Sequence, residues 1–281
     1  NTLMDAMVIL AMDHKAKVFV ARADIFRKPV LAKIFHWLKI MPIMRMRDGI
    51  DEVKRNNETI EKAVDVLRDR IPFCIFPEGM HQTKFSTLPL SKGIFRIAFQ
   101  AQELMPDVPL YIVPVGIRYG NFIRFRSTVR VQIGEPINVG KFISARSDMH
   151  TQEQMNDIRQ LLEERMRESI FYIPNDEDYE ATYEVCGAVV SNQLKLHRKY
   201  NRALKLRGLN AYFTANNLTV KQIQEMKESD PERAKRILDL GREAIAMRTK
   251  ENISLKSVAA RRPILSRILE NVIFIILLPY L

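Results

Sequence analysis

The stretch Pro72-Phe73-Cys74-Ile75-Phe76-Pro77-Glu78-Gly79 joins an apolar, β-prone run to a turn that regular structure cannot continue through. Apolar and aromatic residues from Pro72 to Phe76 read as a buried strand, and Pro77-Glu78-Gly79 punctuates it. A strand ending this way sets a carboxylate and free backbone N–H groups at the carboxyl edge of a sheet, where open α/β folds bind ligands. Taken alone, those last residues are better accounted for as an ordinary surface turn.

Working outward, further β-rich runs lie at Lys17 to Ala21, Met41 to Met46, Leu110 to Ile117 and Val129 to Ile133. Between them, Val30 to Leu38, Thr59 to Leu67 and Ile94 to Leu104 carry apolar residues at helical spacing. This alternation predicts an α/β fold with a mixed central sheet covered by helices on both faces. From His150 onward the strand signals fade. Thr151 with Gln154 makes a capping-box pattern ahead of Met155, Ile158, Leu162 and Met166, and Asp230-Pro231 reads as an N-cap and first-turn proline. The expected division is an α/β domain over 1–145, a mainly helical extension over 146–262 and an apolar segment over 263–281.

That last segment ends in an almost uninterrupted apolar run from Val272 to Leu281, preceded by Arg261, Arg262 and Arg267. A membrane-crossing helix needs about 20 such residues, so the run reads as an interfacial segment or the start of a span, with the arginines on a cytoplasmic flank.

The 281 residues are enough for a large core, and 47% hydrophobic with 27% charged residues is a globular composition. A formal charge of +11 points to an anionic partner: nucleic acid, acidic headgroups or a phosphorylated small molecule. Each well-placed Lys or Arg gains about 1 kcal/mol near an anionic leaflet, and the apolar end favours lipid. The basic residues are scattered without a recognition motif, so nucleic acid is not expected. Two cysteines, Cys74 and Cys186, lack metal-ligand spacing, so a reducing compartment and no metal or redox cofactor are expected.

Several segments together resemble the glycerolipid acyltransferases, the family of lysophosphatidate acyltransferases. Phe76-Pro77-Glu78-Gly79 is similar to the family's third signature block, which helps bind the acceptor's phosphate and glycerol. Ser91-Lys92-Gly93, with Arg96 and Ala98, looks like the stretch that follows it. Val113-Pro114-Val115-Gly116 looks like the fourth block, a proline-containing strand. Ile43-Met44-Arg45 looks like the second, whose arginine contacts phosphate. Order and spacing agree over the first half of the chain. The first block is a histidine, four intervening residues and an aspartate. Asn1-Thr2-Leu3-Met4-Asp5 fits its tail, and the histidine is expected just before Asn1.

The resemblance implies transfer of a fatty acyl group from acyl-CoA or an acyl-carrier-protein thioester to a hydroxyl of a lysophospholipid or glycerol phosphate. An alcohol is a poor nucleophile at neutral pH, so a base must take its proton, an effect typically worth about 10² to 10⁴ in rate. Asp5 would hold that base in the right tautomer, although an acid in a first helical turn is also what the helix dipole favours. Arg45, Glu78 and Gly79 would position the acceptor. Arg22 is an even choice between phosphate ligand and solvated charge. His81, where many relatives carry arginine, is a possible ligand contact. Met80-His81-Gln82 departs from the family's usual Thr-Arg-Ser, which bears on acceptor identity. His14, His36, His150 and His197 are not expected to act as the base. Trp37, between Lys33 and Lys39, is the best interfacial candidate.

The rival expectation is a basic peripheral membrane module that keeps the fold without turnover. Either reading places the chain at a membrane, on its cytoplasmic face, with membrane lipids as partners.

Overall fold

The computed structural model of the chain describes residues 2–12, 14–22, 26–43, 51–80, 82–120, 127–200, 208–255, 268 and 272. The sequence expectations at Arg45, at His81 and along 273–281 lie outside these residues. The chain divides into two compact units, Asn1–Arg118 with Val131–Ile170, and Tyr119–Arg130 with Phe171–Leu281.

The first unit opens with α1 (Thr2–Leu10), then β1 (Val18–Arg22), α2 (Pro29–Trp37), β2 (Ile40–Ile43), α3 (Asp51–Arg68) and β3 (Phe73–Cys74). The three strands form a parallel sheet in the order β2-β1-β3. Phe19 lies opposite Ile40 on one side and Cys74 on the other, and Arg22 lies opposite Ile43. Val18, Phe19 and Val20 are all buried, as expected of a central parallel strand with both faces covered.

Next come α4 (Gly93–Leu104), β4 (Tyr111–Ile112), β5 (Val115–Tyr119), β6 (Val129–Ile133), β7 (Ile137–Asn138), α5 (Val139–Ser144) and α6 (Thr151–Ser169). β4 pairs antiparallel with β7, and β5 pairs with β6. A mixed α/β fold followed by a helical part is therefore what the chain adopts. The single run expected from Leu110 to Ile117 is two strands, because Pro114 has no N–H to give a ladder. Its carbonyl oxygen instead accepts from the Gly134 N–H at 2.8 Å.

The core draws on α4, β4, β7, α5 and α6: Phe95, Phe99, Ile112, Ile137, Val139, Phe142, Ile158 and Leu162 form one buried cluster. Ile158 and Leu162 are one helical turn apart on α6 and are 0% and 2% exposed, so the amphipathic stripe read from the sequence is the buried face. A second face of α4, through Ala101 and Met105, packs on Val64 of α3. Between them sits buried Gln102. Its amide donates to the carbonyls of Met105 and Val108 at 3.0 and 3.1 Å and accepts from the Leu110 N–H at 3.1 Å. Each partner lies in the connection from α4 to β4, so one side chain satisfies backbone groups that no ladder reaches.

The cap of α6 falls one residue earlier than Thr151 and Gln154 suggest. His150 is the N-cap, and its N–H donates to Glu153 Oε2 at 3.3 Å. Gln154 turns inward, donating to the Arg146 carbonyl at 2.7 Å. A buried amide with a backbone partner outweighs a solvent-facing cap that Glu153 can supply instead.

In the second unit, α7 (Tyr179–Tyr200), α8 (Gly208–Ser229) and α9 (Pro231–Lys250) pack around Ala181, Ile223 and Leu238. Asp230 caps α9, accepting from the Arg233 N–H at 3.1 Å, with Pro231 in the first turn as its sequence implied. Arg248 donates from Nε and Nη2 to the two carboxylate oxygens of Glu184, each at 3.0 Å. Among the described residues, no helix is long and apolar enough to cross a membrane.

Candidate active site

Parallel pairing puts the carboxyl ends of β1, β2 and β3 at one sheet edge. Arg22 ends β1 there, β2 ends at Ile43 two residues before Arg45, and β3 runs from Cys74 into Pro77-Glu78-Gly79. Ligands in open α/β sheets gather at this edge because the strand-to-helix loops all emerge there.

The Glu78 turn is held from both sides. Gly79 donates its N–H to the Phe76 carbonyl at 3.2 Å, and Ser91 donates to the Pro77 carbonyl at 2.9 Å. The expectation of free N–H groups thus fails at Gly79, whose amide closes the turn. Gly79 sits at φ +63°, and a Cβ there would meet open space. Glycine is required by backbone conformation, not by crowding.

Glu78 itself is half-buried. Burial pushes its carboxyl above the ordinary carboxylate range, and a hydrogen bond from the Leu88 backbone N–H pulls the other way. It is the single acidic residue between Arg70 and Gln102, among Lys84, Lys92 and Arg96. A carboxyl whose charge is disfavoured by burial responds to an arriving hydroxyl or cation, because each changes its solvation.

The loop from Gln82 to Leu90 packs back on the unit. The Gln82 amide donates to the Ser86 carbonyl, and Ser86 and Leu90 are buried. The Arg118 guanidinium of β5 lies 5.9 Å from the centre of the Phe85 ring. Reading the sequence did not single out Arg118. Its signal is faint, since it follows the Val113-to-Gly116 block with no local motif of its own.

Asp5 lies half-buried in the first turn of α1. Arg22 is placed by its backbone at the end of β1. His36 is exposed on α2, its ring 5.5 Å from that of Phe26. A cleft of about 390 Å³, lined by His36, Met41, Pro42, Lys62, Asp65 and Val66, opens between α2, β2 and α3 and does not include Glu78 or Gly79. Cys186 offers no nucleophile, because burial pushes its thiol up to about 12.

Comparison with known proteins adds the following. Residues 1–118 match the family model described as Acyltransferase. Glycerol-3-phosphate O-acyltransferase 2 of Saccharomyces cerevisiae is 31% identical over 135 residues, 47% of this chain and 18% of that protein. Glycerol-3-phosphate O-acyltransferase 1 of the same yeast is 36% identical over 90 residues, 32% of this chain and 12% of its own length. A 1-acyl-sn-glycerol-3-phosphate acyltransferase of Cocos nucifera is 26% identical over 158 residues, 55% of this chain and 46% of that protein. The chain thus spans less than half the length of each of these relatives.

Proposed function

We propose, on the premise that residues 1–118 belong to the glycerolipid acyltransferase family, that the protein moves a fatty acyl group from a thioester to a hydroxyl of glycerol phosphate or a lysophospholipid. The observation that carries this reading is the family match over the stretch that contains Asp5 and the Glu78-Gly79 turn.

The acceptor hydroxyl loses its proton to a histidine ahead of Asn1 as its oxygen attacks the thioester carbonyl. The carbon–sulfur bond then breaks, and the departing thiolate takes the proton from the imidazolium. Asp5 orients the imidazole and balances its charge. Arg45 and Arg22 hold the acceptor phosphate, for which a guanidinium fork is well shaped. Glu78 receives a glycerol hydroxyl on a carboxyl that Leu88 keeps oriented, and His81 is the further residue proposed to contact that ligand. Acyl-CoA or an acyl-carrier protein is the donor, and the work takes place at a membrane, on its cytoplasmic side.

The test is transfer from labelled acyl-CoA, in detergent, to lysophosphatidate and to glycerol 3-phosphate by protein that carries the histidine ahead of Asn1, beside Glu78→Gln and Arg45→Ala variants of it. Transfer with a raised acceptor KM in both variants supports the reading. No transfer to any glycerolipid acceptor sinks it and leaves a basic membrane module with the same fold.

A further inference from the structure

Helix α2 is amphipathic in the wrong sense for a helix docked on its own domain. Val30, Ile34, Trp37 and Leu38 follow one another at i, i+4, i+7 and i+8, the spacing of a single helical stripe, and they are 71%, 46%, 80% and 40% exposed. The inward contacts come from the opposite side, where Phe35 meets the Phe26 ring at 5.2 Å between centres. A stripe of this kind is normally the part of a helix that leaves water, so its exposure calls for a partner.

Charge decides the kind of partner. Arg27, Lys28, Lys33 and Lys39 flank or interrupt the stripe in sequence, and from Phe26 to Ile43 the chain has no Asp or Glu. An apolar ridge ending in an indole, flanked along its own segment by cations and no acid, matches the boundary of an anionic bilayer: acyl chains take the ridge, headgroups take the cationic side chains, and the indole suits the interface between them.

We propose that α2 is the bilayer-docking surface of this protein, with Trp37 and its stripe seated at the acyl-chain boundary of anionic lipid. The choice of lipid as partner rests on the acyltransferase reading, and the docking geometry is testable apart from it.

Trp37 is the chain's single tryptophan, so the full chain carries its own probe. Vesicles of phosphatidylcholine mixed with phosphatidylglycerol should shift Trp37 emission to the blue, shield it from acrylamide and expose it to quenching by brominated phosphatidylcholine. Pure phosphatidylcholine should do so weakly, and added salt should reduce the effect. Val30→Ser with Ile34→Ser, both at exposed positions, should weaken vesicle affinity about tenfold or more. Lys28→Glu with Lys33→Glu should remove the preference for anionic lipid, whereas Leu240→Ser, an exposed apolar position on α9, should change nothing.

Vesicle sedimentation with Trp37 still open to acrylamide would mean attachment through another surface, such as the apolar end of the chain, and would overturn the proposal. Absence of any vesicle binding would overturn it too, leaving a protein partner for the stripe. Acyl transfer in detergent separates the two readings. Lost transfer with Trp37 inserted defeats the enzyme alone, and intact transfer without insertion defeats the docking surface alone.

Discussion

The Ser91 N–H donates to the Pro77 carbonyl at 2.9 Å, so the entry to α4 is tied to the turn that carries Glu78. Fourteen positions separate the two residues in sequence, yet the bond makes the loop between them a closed lobe whose ends cannot drift apart. Fixed placement of the carboxyl is what the proposed acceptor role of Glu78 calls for, since a small misplacement near the chemistry is costly in rate.

Gly79 should be the least replaceable residue of that lobe. At φ +63° an alanine suffers a local strain of about 1 to 2 kcal/mol. Because a Cβ there meets open space, Gly79→Ala should fold and instead show a raised acceptor KM. An unchanged KM in steady-state transfer assays would detach the turn from acceptor binding.

Glu78 ties stability to pH. Its folded-state carboxyl is raised by burial, so the folded state favours the protonated form. Stability from this group is full below the unfolded value and is lost as pH rises through the folded one. Thermal melts across that window should therefore separate wild type from Glu78→Gln, with the variant gaining on the wild type as pH increases. Parallel melting curves at every pH would show that the carboxyl does not titrate differently on folding.

Ile158 tests whether α6 belongs to the core of the first unit. It is fully buried against α4 and α5, and Ile158→Ala should cost about 3 kcal/mol. Chemical denaturation monitored by circular dichroism reads this directly. A loss below about 1 kcal/mol would place the helix outside the cooperative unit.

Gly116 tests the same packing from the strand side. A Cβ on it would lie 2.2 Å from the Ser169 carbonyl oxygen at the end of α6, and backbone cannot rotate away as a side chain can. Gly116→Ala should destabilise by more than 2 kcal/mol. Replacement of Ser169 by alanine should not relieve it, because the clash is with main chain.

Glu184 should anchor the three-helix unit. Its side chain is 6% exposed, and its two carboxylate oxygens accept from Arg248 Nε and Nη2 at 3.0 Å. Glu184→Ala removes two charge-assisted hydrogen bonds while Arg248 keeps the Ile253 carbonyl, and should cost about 1 to 2 kcal/mol in melts of the full chain, whereas exchanging the pair for leucine and methionine should cost less.

Much of this architecture is legible in the sequence, for physical reasons. β1, α2, α4 and β6 sit where their periodicity places them, because each buries one face and the pattern records which. The Glu78 turn was visible because Pro77 and Gly79 have few other uses. What stayed hidden depends on distant partners. Gly116 looks like any strand glycine until Ser169 arrives beside it. Glu184 and Arg248 are 64 residues apart. Ile137 and Asn138 are too short a strand to show a period, and Leu88 offers only a backbone N–H, which every residue but proline has.

The reach of α6 into the first core also bears on the order of events at the ribosome. The parallel strands β1 to β3 are complete once residue 74 has emerged, but the cluster that seals α4 and β4 waits for Ile158 and Leu162. At about 5 to 20 residues per second, a nascent chain spends several seconds with Phe95 and Phe99 uncovered. That interval is when the protein is most open to chaperones and to mispairing, and synonymous changes that slow translation between residues 100 and 160 would lengthen it.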